Sequence, residues 1–199
     1  MEATLILASA SPRRRELLAQ AGYRFTVEAS SIDESRRAGE EGIRFATRLA
    51  REKAGEIFAR HAAEAVQHPL MVLGADTVVV CDDEIMGKPA DAADAERMLR
   101  LLAGRTHHVV TGVAVVWSAG AEVAAEVTQV TMNTLSAEEI AAYVAGGEPM
   151  DKAGAYAIQG FAGSWIPRIN GCYFNVVGLP LALVASLIEG AEKRRTAKP

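Results

Sequence analysis

Apolar residues follow two different spacings along the chain. Residues 4–8 and 71–81 form nearly continuous apolar runs of strand length, which is typical of strands buried on both faces. Residues 43–63 instead place apolar side chains at helical spacing, with Phe45, Leu49 and Ile57 on one stripe. These patterns predict two buried strands and one helix whose apolar stripe faces the core.

Capping and turn residues mark the ends of several other elements. Ser11 before Pro12 is typical of a helix start, Gly104 of a helix end, and Ser136 with Glu139 matches a capping box. The other predicted helices cover residues 12–21, 91–103 and 136–145 and the segment after Pro180. The other predicted strands cover residues 23–29, 84–87, 106–117 and 122–135. Residues 30–42 are predicted to form a loop, and residues 150–163 an irregular segment rich in small residues.

The first turn of the predicted helix 12–21 carries three consecutive arginines, Arg13, Arg14 and Arg15. A helix N-terminus has partial positive charge, so each cation there costs roughly 0.3–1 kcal/mol. A bound polyanion would remove this conflict, because free N–H groups and guanidinium groups would all point toward it. The arrangement favours an anion-binding site. The alternative is that the arginines extend into solvent.

Two charged residues fall at positions that the patterns predict to be buried. Lys53 lies near the centre of the apolar stripe of the helix 43–63, and Asp76 lies in the middle of the strand 71–81. A buried charge needs a partner, so both are candidate functional residues. The alternatives are a lysine whose stem covers apolar surface and a structural aspartate that accepts backbone N–H bonds. Gly74 predicts a bulge or the close approach of another backbone.

A hairpin turn at Asp82–Asp83 is predicted between the strands 71–81 and 84–87. If the turn centres on those two residues, Lys88 lies opposite Thr77 and next to Asp76. Lys88 would then supply the cation that Asp76 needs. A register error of one residue would move the Lys88 side chain to the other face.

The polar side of the helix 43–63 carries Arg44, Arg48 and Arg51, which we expect to be solvated. Arg48 and Glu52 have the i,i+4 spacing of a helical ion pair. The loop 30–42 before this helix is polar and long enough to be functional.

Composition and charge limit the function classes. The chain has 199 residues, of which 50% are hydrophobic, and a net charge of −4, which supports one sizeable core and argues against general nucleic-acid binding. No stretch has the ~18 apolar residues of a membrane span, and no signal-peptide pattern is present. We therefore expect a cytoplasmic protein. Cys81 and Cys172 have neither metal nor disulfide spacing and are expected to be buried free thiols.

The remaining unusual charged positions suit phosphate chemistry. They are four cations and two acids: Arg13, Arg14, Lys53, Lys88, Glu34 and Asp76. Mg²⁺ prefers one or two carboxylates together with phosphate oxygens, and a carboxylate can position or deprotonate water. The chain has no Walker A motif, no Gly-x-Ser-x-Gly motif and no Cys/His pair for acyl transfer. The residues alone predict metal-dependent hydrolysis or transfer on a phosphorylated small molecule.

Five short motifs in order and at matching spacing resemble those of the Maf family of nucleoside triphosphate pyrophosphatases. They are Ser-Ala-Ser-Pro-Arg-Arg at 9–14, Gly-Ala-Asp-Thr at 74–77, Gly-Lys-Pro at 87–89, Gly-Arg-Thr-His to Thr-Gly at 104–112, and Asp-Lys-Ala-Gly-Ala-Tyr to Gln-Gly at 151–160. The resemblance covers about residues 5–187. Residues 152–160 resemble the dTTP/UTP branch, whereas the branch acting on 7-methyl-GTP differs in this segment.

This resemblance implies an α/β fold with a long curved mixed β-sheet flanked by helices, and two interleaved lobes with a central cleft. Residues 1–190 would form one catalytic domain and residues 191–199 a basic, frayed tail. The implied reaction is hydrolysis between the α and β phosphates, which yields a nucleoside monophosphate and pyrophosphate. The implied partner is a nucleoside triphosphate, without nucleic acid or membrane, and family members often form homodimers.

The resemblance also implies catalytic roles at matching positions. Asp76 matches the proposed general base, and Glu34, Lys53 and Lys88 match other polar residues of the active site. Glu34 and Asp76 are the expected ligands of a divalent metal, Mg²⁺ or Mn²⁺.

The positions expected to bind substrate come from three of the motifs. Ser9, Arg13 and Arg14 belong to the first motif, and the two arginines would hold the triphosphate together with Lys53 and Lys88. Arg13, Thr77 and Gln159 match positions linked to base selectivity.

Two other functions stay open at this point. One is the same chemistry on 7-methyl-GTP or another non-standard nucleotide. The other is a non-enzymatic regulator of cell division, because the family name refers to septum formation. The expected burial of Lys53 and Asp76 argues against the second, since a surface-binding role would not require it.

Overall fold

The computed structural model describes residues 3–196. In this part of the chain the strands are β1 (Thr4–Ala8), β2 (Thr26–Glu28), β3 (Leu70–Cys81), β4 (Glu84–Met86), β5 (Thr106–Trp117), β6 (Gly120–Thr131) and β7 (Arg168–Asn170). The α-helices are α1 (Pro12–Gln20), α2 (Gly42–Arg60), α3 (Ala62–Gln67), α4 (Ala92–Leu102), α5 (Ala137–Ala145), α6 (Tyr173–Val177) and α7 (Leu181–Thr196). Short 3₁₀ helices cover Glu148–Asp151, Ala153–Ala155 and Phe161–Trp165.

The strands form one mixed sheet in the order β2-β1-β3-β5-β6-β7, with β4 paired to β3. Strand β1 runs parallel to both β2 and β3. Strand β4 runs antiparallel to β3, and β7 antiparallel to β6. The mixed sheet with its helices confirms the predicted α/β fold class.

The chain divides into two compact units that are interleaved in sequence. Within the described residues, unit 1 comprises residues 3–76, 111–126 and 178–196, and unit 2 comprises residues 77–110 and 127–177. Strands β3, β5 and β6 each contribute residues to both units.

In unit 1, helix α2 lies directly against the sheet because two strand glycines leave room for its backbone. A Cβ atom on Gly74 of β3 would lie 2.2 Å from the Ala50 carbonyl oxygen, and one on Gly112 of β5 would lie 2.4 Å from the Ala46 carbonyl oxygen. The close approach predicted at Gly74 is therefore confirmed, and the helix that carries Lys53 lies along the strand that carries Asp76.

In unit 2, helices α4 and α5 and the irregular segment after α5 share one apolar core. Its largest members are the aromatic side chains Tyr143, Tyr156 and Trp165 with Met98 and Leu99 of α4. Asp91 caps α4 by accepting a bond from the Asp94 N–H, and the predicted capping box at Ser136 and Glu139 is present on α5.

Several predicted element boundaries are wrong for local reasons. The helix 43–63 is interrupted at His61, whose N–H donates to the Phe58 carbonyl three residues earlier, and α2 and α3 are separate helices. The strand 122–135 ends at Thr131, because the Met132 and Asn133 N–H groups donate to carbonyls of Arg105 and Trp165.

Other differences concern short or terminal elements. Strand 23–29 is reduced to β2, and β7 and α6 are not predicted at all. Helix α7 continues to Thr196, whereas a frayed tail was expected from residue 191; residues 197–199 lie outside the described residues. None of the helices within residues 3–196 has both the length and the apolar character to cross a membrane.

Candidate active site

A buried ion pair joins helix α2 to strand β3 in unit 1. The Lys53 ammonium group donates to Asp76 Oδ1 at 2.7 Å, and the two residues are only 8% and 7% exposed. Both predicted burials are confirmed. The cation that the structure places against Asp76 is thus Lys53, whereas the hairpin register had suggested Lys88.

A second carboxylate contacts the same ammonium group. Glu34 lies on the loop between β2 and α2, residues 29–41, which we call the Glu34 loop. Its Oε1 atom lies 3.0 Å from Lys53 Nζ, and its side chain is 56% exposed. One lysine therefore brings together a buried and an exposed carboxylate, both of which were predicted as site residues.

Arg14 lies beside this group and is held by main-chain carbonyls. Its Nε donates to the Gly178 carbonyl at 2.9 Å and its Nη1 to the Ala75 carbonyl at 2.8 Å. Loss of solvent around the guanidinium group lowers the pKa of Arg14, and the negative charge of Asp76 opposes that shift. Arg14 was expected to bind phosphate, but two of its guanidinium N–H groups instead connect α1 to β3 and to Gly178.

The start of helix α1 has the predicted cap. Ser11 is the N-cap and its hydroxyl accepts from the Arg14 N–H. The buried Ser9 hydroxyl accepts from the Ser11 N–H at 3.1 Å. Arg13 is half-buried at the second position of α1. The first turn therefore keeps its three arginines at the positive end of the helix, which is the feature that predicted an anion site.

The expectation that Arg48 is solvated is wrong. Its side chain is 13% exposed and forms two bonds to the Glu40 carboxylate, at 2.7 and 2.8 Å. The predicted pair with Glu52 is present at 2.9 Å. Sequence periodicity missed the Glu40 contact because it joins the helix to a loop residue eight positions away. Arg44 and Arg51 are exposed, as expected.

The carboxylates of Glu34 and Asp76 fit a hard divalent cation. Both carboxylates contact the same positive group, Lys53 Nζ. Mg²⁺ in proteins is usually bound by one or two carboxylates together with phosphate oxygens. Within residues 3–196, the structure has no cluster of three or more His, Cys, Asp and Glu side chains placed to hold a metal ion. Glu34 and Asp76 would supply two oxygen ligands, and a bound metal would take its other ligands from water or phosphate oxygens.

The other predicted site residues lie in unit 2. Thr77 follows Asp76 on β3 and is half-buried, while Lys88 and Gln159 are exposed. The hairpin register is confirmed, since Val79, Val80 and Cys81 pair with Met86, Ile85 and Glu84. Strand β4 ends at Met86, so Lys88 lies two residues beyond the paired part of the hairpin.

Gln159 lies on a turn that is held by a tyrosine and a glutamate. The Tyr143 hydroxyl donates to Glu148 Oε1 at 2.9 Å and accepts from the Ala157 N–H at 3.3 Å. Glu148 Oε2 accepts from the Phe161 N–H at 3.4 Å. These bonds hold both sides of residues 157–161, and neither Tyr143 nor Glu148 was singled out from the sequence.

Gly154 connects this segment to the Gly-Lys-Pro motif. Its N–H donates to the Gly87 carbonyl at 3.0 Å, and it has a positive φ of 69°. A Cβ atom there would lie 2.7 Å from a Val79 methyl carbon. Glycine is required at this position, and the contact fixes the main chain next to Lys88.

A buried His107–Tyr156 pair lies in the core of unit 2. The His107 ring nitrogen Nε2 lies 2.8 Å from the Tyr156 hydroxyl, and His107 is 0% exposed. Burial lowers the pKa of His107 to about 4. The ring is therefore neutral near pH 7 and packs as part of the core.

Comparison with known proteins identifies relatives over nearly the whole chain. A family model described as Maf-like protein matches residues 4–191. A dTTP/UTP pyrophosphatase of Koribacter versatilis is 50% identical over 187 residues, which are 94% of this chain and 94% of the relative. The dTTP/UTP pyrophosphatase of Geobacter sulfurreducens is 56% identical over 182 residues, which are 90% and 92% of the two chains. That of Salmonella typhimurium is 51% identical over 185 residues, which are 93% and 91%. This chain therefore belongs to the Maf family.

Proposed function

We propose that the protein is a nucleoside triphosphate pyrophosphatase that hydrolyses dTTP and UTP between the α and β phosphates. The observation that carries the proposal is the buried Lys53–Asp76 pair with Glu34 on the same ammonium group. Burying an ion pair costs desolvation free energy that the attraction between the charges can fail to recover, so the buried pair points to a role other than stability. Two carboxylates beside cations suit phosphate hydrolysis. The names of the relatives support the nucleotide class and the pyrimidine preference.

In this proposal Asp76 is the general base. It accepts the proton of the water that attacks the α-phosphorus, and the bond from that phosphorus to the bridging oxygen breaks. The bridging oxygen leaves with pyrophosphate, and the other product is the nucleoside monophosphate. Lys53 holds the Asp76 carboxylate in place and supplies the counter-charge that a buried carboxylate requires.

The remaining charged residues bind the phosphates. Arg13 and Lys88 would contact the triphosphate, while Arg14 contributes positive charge next to Asp76 from a guanidinium group fixed by two carbonyls. A divalent metal, when bound by Glu34 and Asp76, would neutralise phosphate charge and orient the phosphate oxygens.

Thr77 and Gln159 are proposed to recognise the pyrimidine base. A site that hydrogen-bonds a base rejects a wrong one strongly, because its own polar groups are then left unpaired. Gln159 suits this role since its side chain is exposed on a turn whose main chain is fixed by Tyr143 and Glu148.

The test is pyrophosphate release from a panel of nucleoside triphosphates at fixed Mg²⁺ and at fixed Mn²⁺, with the nucleotide product identified. The proposal expects selective release from dTTP and UTP together with dTMP and UMP. Release from 7-methyl-GTP alone would keep the chemistry and refute the base assignment. Release of orthophosphate and nucleoside diphosphate, or no release from any nucleotide, would refute the proposed reaction.

A further inference from the structure

The Glu34 loop has no regular secondary structure, yet it must hold Glu34 within bonding distance of Lys53. The exposed Glu34 side chain forms an ion pair with Lys53, and an exposed pair of this kind contributes little to stability. Some other contact has to keep the loop against helix α2.

Arg48 supplies that contact, because its guanidinium group binds two residues of the Glu34 loop and one residue of its own helix. It binds both carboxylate oxygens of Glu40, at 2.7 and 2.8 Å, and donates through Nη2 to the Ser35 carbonyl at 3.0 Å. Its Nη1 also donates to Glu52 of the same helix at 2.9 Å. The Ser35 bond is the decisive one, because Ser35 is the residue next to Glu34.

The Arg48 contacts are sheltered from solvent. The side chains of Arg48 and Glu40 are 13% and 9% exposed, and the guanidinium carbon lies 5.4 Å from the centre of the Phe45 ring. Hydrogen bonds from Arg48 lower the pKa of Glu40 to about 2. Two-pronged arginine–carboxylate pairs with little solvent access are among the stronger side-chain contacts, so the contact stays formed throughout the neutral pH range.

A second arginine extends the same network. Arg37 on the loop donates through Nη2 to Glu52 Oε1 at 2.9 Å, and its N–H donates to Glu40 Oε2 at 3.1 Å. Glu52 thus binds Arg37 of the loop and Arg48 of the helix. Lys53 is the next residue on α2, so Glu52 of the network and the lysine that Glu34 contacts belong to the same turn of the helix.

We propose that Arg48 is a positioning residue that fixes the Glu34 loop to helix α2 and thereby presents Glu34 to Lys53 and to a metal-bound phosphate. The proposal deepens the proposed function, on which the role of Glu34 rests. Arg48 itself touches neither substrate nor metal; it acts on the reaction through the main chain at Ser35.

The first test measures the loop without any activity assay. Trypsin can cleave after Arg36 and Arg37, which lie in the Glu34 loop. Arg48→Lys keeps the charge and the trypsin site but loses the two-pronged bond to Glu40 and the bond to Ser35. We expect limited trypsin treatment to cleave the loop about tenfold faster in Arg48→Lys, because loop opening limits cleavage.

Arg51→Lys is the matched control. It makes the same substitution three residues away on the exposed side of α2, and it is expected to leave the cleavage rate unchanged. Glu40→Gln, which weakens the same contact from the loop side, should accelerate cleavage as Arg48→Lys does. Thermal unfolding of each variant establishes that the whole fold is retained. Equal cleavage of Arg48→Lys and Arg51→Lys would overturn the proposal.

The second test connects the loop to Glu34. We expect Arg48→Lys to raise the Mg²⁺ concentration for half-maximal pyrophosphate release several-fold. In a protein that already carries Glu34→Gln, Arg48→Lys should not change this Mg²⁺ concentration further. It should still accelerate trypsin cleavage there. Additive effects of the two substitutions on release would contradict a role through Glu34. Faster cleavage together with no release by the unmodified protein would refute the proposed function and leave the loop contact standing.

Discussion

The Lys53 region of unit 1 and the Gln159 region of unit 2 hold their functional side chains in different ways. Lys53 and Asp76 lie on a long helix and a buried strand and are joined by a 2.7 Å ion pair. Gln159 lies on a turn among short 3₁₀ helices, and that turn is held by the hydroxyl of Tyr143 and the carboxylate of Glu148. The charged groups proposed for the chemistry thus lie on rigid elements, and the group proposed for base selection lies on a turn, where it can vary without disturbing the fold.

Lys53→Met breaks the first region and is expected to have the largest effect. Removal of the ammonium group leaves Asp76 buried without its partner, which costs about 3–5 kcal/mol of the free energy of unfolding. We also expect pyrophosphate release to fall at least about a hundredfold. Thermal unfolding and the release assay measure the two effects. Arg51→Met on the exposed side of the same helix is the control, and equal behaviour of the two variants would contradict the role of Lys53.

Acid is expected to destabilise the core of unit 2 through His107. The folded pKa of about 4 lies below the unfolded value of about 6.5, so the unfolded chain binds the extra proton first. Stability is therefore fully present above pH 6.5 and is lost as the pH falls toward 4, by roughly 3 kcal/mol. Denaturant unfolding at pH 7, 5.5 and 4.5 measures this loss. His107→Gln should flatten the dependence in that window, and an unchanged slope would show that another group titrates.

Gln159→Ala tests the second region alone. We expect the preference for dTTP over GTP to fall about tenfold or more, because a hydrogen-bonding group is lost from base selection, with no measurable change in unfolding temperature since the side chain is exposed. The ratio of kcat/KM for the two nucleotides is the measurement. A preserved ratio would remove Gln159 from base recognition without affecting the assignment of Asp76.

Tyr143→Phe tests the support of the Gln159 turn and is expected to have the smallest effect. It removes the bond to Glu148 and the bond from the Ala157 N–H, which together are worth about 1–2 kcal/mol of stability. We expect KM for dTTP to rise a few-fold while the Mg²⁺ dependence of release stays unchanged. A shift in the Mg²⁺ dependence instead would show that the two regions are not functionally separate.

The sequence predicts the charged region well because its signals are violations of strong rules. Lys53 interrupts an apolar helical stripe and Asp76 an apolar strand, and both residues are buried as predicted. That they are partners of each other does not follow from either pattern, since the contact joins residues 23 positions apart. It depends on the packing of α2 on β3, for which Gly74 was the one local signal.

The Gln159 region is less predictable because turns of this kind have no periodicity. The pattern of residues 150–163 shows only that the segment is irregular and rich in small residues, and Gln159 was assigned from the family resemblance. The Tyr143 and Glu148 bonds involve residues that look ordinary in a helix and in the turn after it. Arg48 was missed for a related reason: a helical surface arginine is usually solvated, and its contact with Glu40 requires the loop to fold back.

The measurement that tests the central claim most directly is the turnover of Asp76→Asn with dTTP and Mg²⁺, with Asp83→Asn in the exposed hairpin turn as the matched control. If Asp76 is the general base, pyrophosphate release falls by about a hundredfold or more in Asp76→Asn, remains normal in Asp83→Asn, and circular dichroism shows that both variants are folded. Turnover of folded Asp76→Asn within a few-fold of the unmodified protein would contradict the account.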